Sequence, residues 1–160
     1  MTEPAEDTPY LLFEVGGALY GVPLVAVREV VEPMAVRAVP NTVNAFKGVS
    51  NLRGQVISVM DLRDLLIVAP DVSRRQVLLV IELTTGLMAV AVDALRGVVP
   101  MAESQIERQP MLATSISQEH IRGIGRHGTS ELVILIDLRA MIEAVTVATV
   151  NSSRQRPMVG

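Results

Sequence analysis

Few side chains in this sequence could do chemistry, and those few are scattered. The histidines are His120 and His127, one placed before a predicted strand and the other in a predicted turn. Cysteine is absent, which excludes thiolate chemistry and disulfides. The chain also lacks a glycine-rich phosphate loop, a nucleophile elbow and a His-Glu-x-x-His helix. We therefore expect no catalytic residue, no cofactor and no metal-ligand set.

Two carboxylate pairs are the remaining candidates for acid–base or metal chemistry. They are Glu29/Glu32 and Asp61/Asp64, and each has an arginine beside it. A general acid and base need a convergent site, whereas neighbouring opposite charges form local ion pairs and helix caps. We favour capping and ion pairing for both pairs.

One arginine stands out by its surroundings. The apolar runs Val49–Leu52 and Val56–Met60 flank Arg53-Gly54, a layout that predicts a β-hairpin because Gly54 supplies the positive φ of a tight turn. Asn51 lies on the same hairpin. A planar guanidinium above apolar strands is typical of a protein-binding surface. The competing interpretation is a solvated charge.

The composition limits the classes of partner. Of 160 residues, 49% are hydrophobic and 2% aromatic, and the net charge is −3. Nucleic-acid binding needs a basic face and, for single strands, stacking aromatics, so we expect no nucleic acid. No apolar run reaches the roughly 20 residues that cross a bilayer, so we expect no direct membrane insertion. The acidic start lacks the pattern of a secretory signal.

The hydrophobic periodicity predicts a chain of short strands. Residues 24–31 fit either a short helix or a strand, and Asp61 is placed as the N-cap of a short helix. The remaining predicted elements are strands Tyr10–Val15, Leu19–Val22, Ala35–Val39, Val77–Leu83, Leu87–Val92, Ile121–Ile124 and Leu132–Ile136, an irregular stretch Met101–Gln118, and a helix Asp137–Val147.

An internal repeat organises these elements. With an offset of 68 residues, Glu14 aligns with Glu82 and Arg28 with Arg96; with an offset of 75 or 76, Gly48 aligns with Gly123 and Asp61-Leu62-Arg63 with Asp137-Leu138-Arg139. We therefore predict a mobile N-terminus (1–9), one domain (10–147) with a first half of about 10–68 and a second half of about 76–147, and a disordered tail (148–160). Halves of about five strands close most simply as small barrels.

The sequence resembles the CheW-type adaptor proteins of bacterial chemotaxis over about Tyr10 to Ala144. The motifs that carry the resemblance are Tyr20-Gly21-Val22-Pro23, Val27-Arg28-Glu29-Val30, Val39-Pro40-Asn41, Gly48-Val49-Ser50-Asn51-Leu52-Arg53-Gly54, Val59-Met60-Asp61-Leu62-Arg63, Val92-Asp93 and Gly123-Ile124-Gly125. The resemblance implies a mainly β fold of two pseudo-repeated, five-stranded SH3-like barrels packed together, with short helices.

The resemblance also implies a function without catalysis. Such adaptors couple the cytoplasmic tips of chemoreceptors to the regulatory domain of the histidine kinase CheA, in the cytoplasm, where receptor arrays recruit them to the inner face of the membrane. Because that kinase domain is built like the adaptor, the two can alternate in rings, and other adaptor copies can join them. The receptor, the signal and the preferred kinase are not specified by the sequence.

By motif, the resemblance assigns receptor or kinase contacts to Arg53, Asn51, Gly48, Val27, Glu29, Val98 and Gly123. Arg53 matches the arginine implicated in binding the receptor tip. One departure lies at Arg96-Gly97, where many members are acidic or small. Two alternatives stay open. The first is the same module in a surface-motility or developmental chemosensory pathway, or as a detached piece of a larger kinase. The second is a small β-barrel that binds a ligand or nucleic acid, which would need an aromatic or basic face.

Overall fold

The computed structural model describes residues 7–39, 46–68, 76–108, 110–112 and 114–145. The strands are β1 (Thr8–Val15), β2 (Ala18–Pro23), β3 (Glu29–Val31), β4 (Phe46–Leu52), β5 (Gln55–Asp61), β6 (Val77–Leu83), β7 (Gly86–Val92), β8 (Ala94–Met101), β9 (Ile106–Glu107), β10 (Ile121–His127) and β11 (Glu131–Ile136). Helix α1 is Leu62–Leu65, helix α2 covers residues 138–145, and 3-10 turns lie at Leu24–Ala26, Glu103–Gln105 and Gln118–His120.

The strands form two sheets, and each sheet takes strands from both halves of the chain. Sheet 1 has the order β8-β1-β2-β11-β10-β9, and sheet 2 has the order β3-β6-β7-β5-β4. The first hairpin of each half, β1-β2 or β6-β7, therefore pairs with the later strands of the other half. The exchanged hairpins join their sheets through parallel contacts, β2 with β11 and β7 with β5.

Burial on both faces explains why these hairpins lie inside their sheets. On β1, Tyr10 and Leu12 pack within sheet 1, whereas Leu11 and Phe13 belong to the core shared by the two sheets. The strand β6 repeats this alternation with the residues from Leu78 to Ile81. A strand that is apolar on both faces is stable only where both faces are covered.

The structure confirms the predicted hairpins but not all of the other predicted elements. The hairpins β1-β2, β4-β5, β6-β7 and β10-β11 are confirmed. Residues 24–31 contain both alternatives, a 3-10 turn followed by β3. The strand expected at Ala35–Val39 is wrong: a single bridge, Arg37 with Val49, forms there.

The strand β8 was missed by the sequence analysis. It contains Gly97 and Pro100, two residues that interrupt a strand pattern. In the structure the pairing with β1 shifts register at this point, and Gly97 has a φ of 112°. A β-bulge therefore accommodates the glycine within a continuous strand.

The predicted disordered tail (148–160), the last two residues of the predicted helix (146–147) and residues 40–45 and 69–75 lie outside the described ranges. Of the predicted mobile N-terminus (1–9), residues 1–6 also lie outside them, whereas Thr8 and Pro9 belong to β1, which corrects the prediction for these two residues. Within the described ranges, no helix has the length and apolar character needed to cross a membrane.

Candidate functional site

The tip of the β4-β5 hairpin presents Arg53 to solvent. Arg53 and Gly54 have φ angles of 50° and 88°, so both central residues are left-handed, as a type I′ turn requires. The Asn51 side-chain oxygen accepts a hydrogen bond from the Gly54 N–H at 2.7 Å. The Arg53 side chain is 69% exposed. The turn thus fixes the backbone under an arginine that stays accessible.

Arg53 pairs with a second predicted site residue, Glu29. Its guanidinium donates to the Glu29 carboxylate, which is more buried than the arginine. Glu29 lies on β3 and Arg53 follows β4, the two edge strands of sheet 2. The exposed ion pair therefore spans the place where the two edges of this sheet approach each other.

Gly48 lets the edge strand β4 approach the segment that follows β3. It is buried at a register shift in β4, with a φ of 141°, and a Cβ there would overlap the carbonyl oxygen of Arg37. Two hydrogen bonds link Arg37 and Val49 at 2.8 and 2.9 Å. Glycine is required here by close backbone approach; contact with a partner stays a prediction.

Gly123 repeats this arrangement in sheet 1. It lies at a register shift in β10 with a φ of 150°, and a Cβ there would come within 2.6 Å of the Glu107 carbonyl oxygen. Val98 is also in sheet 1, exposed on the edge strand β8. Val27 is half-buried against the core between the sheets. The structure thus brings together Arg53, Glu29 and Asn51 and distributes the other predicted residues elsewhere.

Arg63 corrects the expectation of local pairing. It is buried, and its Nε and Nη2 donate to Asp93 at 2.7 and 2.5 Å. The same carboxylate accepts the Gly16 N–H at 2.8 Å. The pair joins the two halves, so the local-pairing prediction is wrong. The sequence feature that could have indicated this role is that Asp93 directly follows the apolar strand β7.

Asp61 and Asp64 have structural roles, whereas the local ion pairing expected at Glu29/Glu32 is wrong, because Glu29 pairs with Arg53 and the neighbouring Arg28 pairs with Glu82. Asp61 caps α1 by accepting the Arg63 N–H at 2.9 Å, and Asp64 pairs with Lys47 at 2.6 Å. No group of three or more potential metal ligands occurs in the described part of the chain.

Two exposed ion pairs account for repeat-matched charges. Arg28 lies 3.5 Å from Glu82, and Arg96 pairs with Glu14, so each arginine meets the glutamate of the other half. Hydrogen bonding to Glu14 raises the pKa of Arg96. The repeat seen in the sequence is therefore a repeat of contacts between halves.

The comparisons with known proteins agree over almost the whole chain. The model of the CheW-like domain family matches residues 9–146. The "Chemotaxis protein CheW" of Klebsiella aerogenes is 29% identical, with 89% of this chain and 86% of that protein aligned. The "Chemotaxis protein CheW" of Treponema pallidum is 27% identical, with 81% and 79% aligned.

A solved structure shows the same fold. The crystal structure of the scaffolding protein TtCheW from Thermoanaerobacter tengcongensis superposes with a TM-score of 0.76 at 27% identity, and the match covers 86% of this chain and 93% of that one.

Proposed function

Because the chain belongs to the CheW-like domain family, we propose that it is a non-catalytic chemotaxis adaptor that couples chemoreceptor tips to the histidine kinase CheA in signalling arrays. The family match over residues 9–146 carries the proposal. The names of the relatives, a chemotaxis protein and a scaffolding protein, support the adaptor role. The receptors recruit the adaptor to the inner face of the membrane.

The receptor tip binds at the Arg53 surface, which we define as Arg53, Glu29 and Asn51. An arginine that is exposed and oriented by a single surface carboxylate can exchange that partner at low cost, because exposed ion pairs contribute at most about 1 kcal/mol. Its planar fork then supplies directional hydrogen bonds at an interface. This assignment rests on the exposure of Arg53 and on the family motif.

The two sheets present related surfaces, as alternation with CheA in rings requires. Aliphatic side chains at equivalent positions of the repeat are exposed on both sheets. Val30 on β3 corresponds to Val98 on β8, and Val56 on β5 corresponds to Leu132 on β11. Each molecule therefore offers two similar faces, one for each neighbour. Each sheet has its own cluster of closely packed apolar side chains, which argues against a ligand-binding barrel.

The experiment compares Arg53→Ala with Arg126→Ala, an exposed arginine on the β10-β11 hairpin of the other sheet. Loss of Arg53 should weaken binding to the receptor tip by roughly thirtyfold, which corresponds to about 2 kcal/mol at an interface anchor. Arg126→Ala should bind like the parent. The assay measures affinity for the receptor tip and for CheA, the melting temperature, and stimulation of CheA in receptor-containing membranes.

Kinase affinity and melting temperature should stay close to the parent in both variants, because neither arginine is buried. If Arg53→Ala unfolds the domain, or binds the receptor tip as tightly as the parent, Arg53 is a solvated charge and the assignment is wrong. Arg63 is unsuitable as the control, since its buried pair makes it a stability residue.

A further inference from the structure

A groove of about 1000 Å³ lies between the sheets, beside the N-terminal end of α2. Its charged lining consists of Arg28, Arg108, Arg122, Arg139, Glu82 and Asp137. We call it the arginine groove. The four arginines face four carboxylates: Glu82 and Asp137 lie in the lining, and Glu103 and Glu143 pair with Arg108 and Arg139 from beside it. None of the residues assigned to receptor or kinase contact lines it.

Three of the four groove arginines are positioned but retain donor capacity. The exception is Arg108, which binds Glu103 through Nε and Nη2 and the Arg122 carbonyl oxygen through its other Nη. Arg28 and Arg122 each donate through one Nη, to Glu82 at 3.5 Å and to Asp137 at 2.6 Å. Arg139 uses its Nε and one Nη. A guanidinium has five N–H donors, so further acceptors can bind without breaking these contacts.

The internal repeat shows what kind of group fits there. Arg63 and Gly16 of the first half are the counterparts of Arg139 and Thr84. Together they bind the carboxylate of Asp93, which comes from the second half. The counterpart of Asp93 in the arginine groove is Val25, whose relative exposure is 92%. The groove therefore resembles the Asp93 site without the aspartate.

A carboxylate within the chain occupies this place only in part. Glu143 reaches Arg139 from the next turn of α2, with a single bond to Nε at 3.2 Å, and it also accepts from Thr84 at 3.1 Å. Hydrogen bonding to Arg139 lowers the pKa of Glu143. By contrast, Arg63 makes two shorter bonds to Asp93. Arg139 is thus less completely satisfied than its counterpart.

We propose that the arginine groove is a second docking site, which binds an acidic segment of a protein partner. An aspartate or glutamate of that segment pairs with Arg139, in the way that Asp93 pairs with Arg63. An aliphatic neighbour in the same segment packs on the exposed Val25. The Asp93 site identifies a carboxylate as the matching group, and the remaining N–H donors of Arg28, Arg122 and Arg139 favour such an acceptor. This site is additional to the Arg53 surface.

The test uses a peptide that copies the segment around Asp93. The probe is acetyl-Val-Ala-Val-Asp-Ala-Leu-amide, the sequence of Val90–Leu95, and its matched control carries Asn in place of Asp. Titration of the full chain is followed by NMR, at the Nε–H signals of Arg139 and Arg122 and at the backbone amide of Thr84. The aspartate peptide should bind at least tenfold more tightly than the asparagine peptide.

Variants locate the binding. Arg139→Ala should weaken the aspartate peptide at least tenfold, and Arg126→Ala should leave it unchanged. Val25→Asp supplies the missing carboxylate from within the chain and should displace the peptide, whereas Val25→Asn should not. Equal affinity of the two peptides, or equal behaviour of the two Val25 variants, overturns the proposal. Inorganic phosphate that binds as tightly as the aspartate peptide also overturns it, because the groove would then be a general anion site.

Discussion

Arg63 and Arg139 occupy equivalent positions in the two halves, and their surroundings differ sharply. Both end an Asp-Leu-Arg sequence whose aspartate caps a helix. The Arg63 and Asp93 side chains are 8% and 1% exposed, whereas those of Arg139 and Glu143 are 57% and 39% exposed. Asp93 reaches Arg63 from the other half of the chain, while Glu143 lies four residues from Arg139 on the same helix.

The difference shows that a shared motif does not imply a shared energetic role. Breaking a buried ion pair leaves an uncompensated charge in the low-dielectric interior, but breaking an exposed pair returns both groups to solvent. The first half therefore uses its arginine to join the two halves. In the second half, only the exposed Glu143 reaches the equivalent arginine, beside the arginine groove.

The largest expected effect is that of Arg63→Ala. This change leaves the Asp93 carboxylate buried without its guanidinium, so the free energy of unfolding should fall by about 3–5 kcal/mol. Chemical denaturation of the purified chain measures it. Arg139→Ala is the matched control and should shift the melting temperature by no more than about 2 °C, as a surface substitution does. Similar losses in both variants would contradict the comparison.

The bulge glycines of the two sheets should show a smaller contrast. Gly48→Ala should lower the free energy of unfolding by about 3 kcal/mol and Gly123→Ala by about 2 kcal/mol, since both adopt left-handed angles and the first overlaps the Arg37 backbone more severely. Gly54→Ala has open space around it and serves as the control, with an expected loss of about 1 kcal/mol. The order is measured by denaturation. If Gly48→Ala were as stable as Gly54→Ala, its close contact with Arg37 would be wrong.

The smallest effect concerns the Asp137 cap and its dependence on pH. Burial raises the pKa of Asp137, but the Ala140 N–H and the Arg122 guanidinium outweigh it, and the pKa lies below its usual value. A carboxylate with a lowered folded-state pKa stabilises the fold above the unfolded value of about 3.9, and this stabilisation is lost as the pH falls further.

Asp137→Asn should therefore be less stable than the parent at pH 7, and the difference should shrink as the pH falls from about 4 through the lowered pKa of Asp137. Thermal unfolding between pH 2.5 and 7 measures the difference. A gap that stays constant over this range would show that Asp137 contributes through its shape and not its charge.

The sequence predicted the local features of this molecule well. The four hairpins and the Asp61 cap follow from alternation, turn residues and capping chemistry, which depend on neighbours within a few residues. The strand β8 was missed because Gly97 and Pro100 interrupt its pattern, and only the pairing with β1 shows how a bulge absorbs them. The predicted partner contacts at Gly48 and Gly123 stay predictions beside their structural role.

The sequence by itself determined the repeat, the hairpin that carries Arg53 and the mainly β class, because these arise from local periodicity and composition. The tertiary structure alone decided which half completes each sheet. It also decided that Arg63 meets Asp93 while Arg139 borders an open groove. Those pairings join residues far apart in the chain, and whether an ion pair is buried or exposed depends on what packs around it.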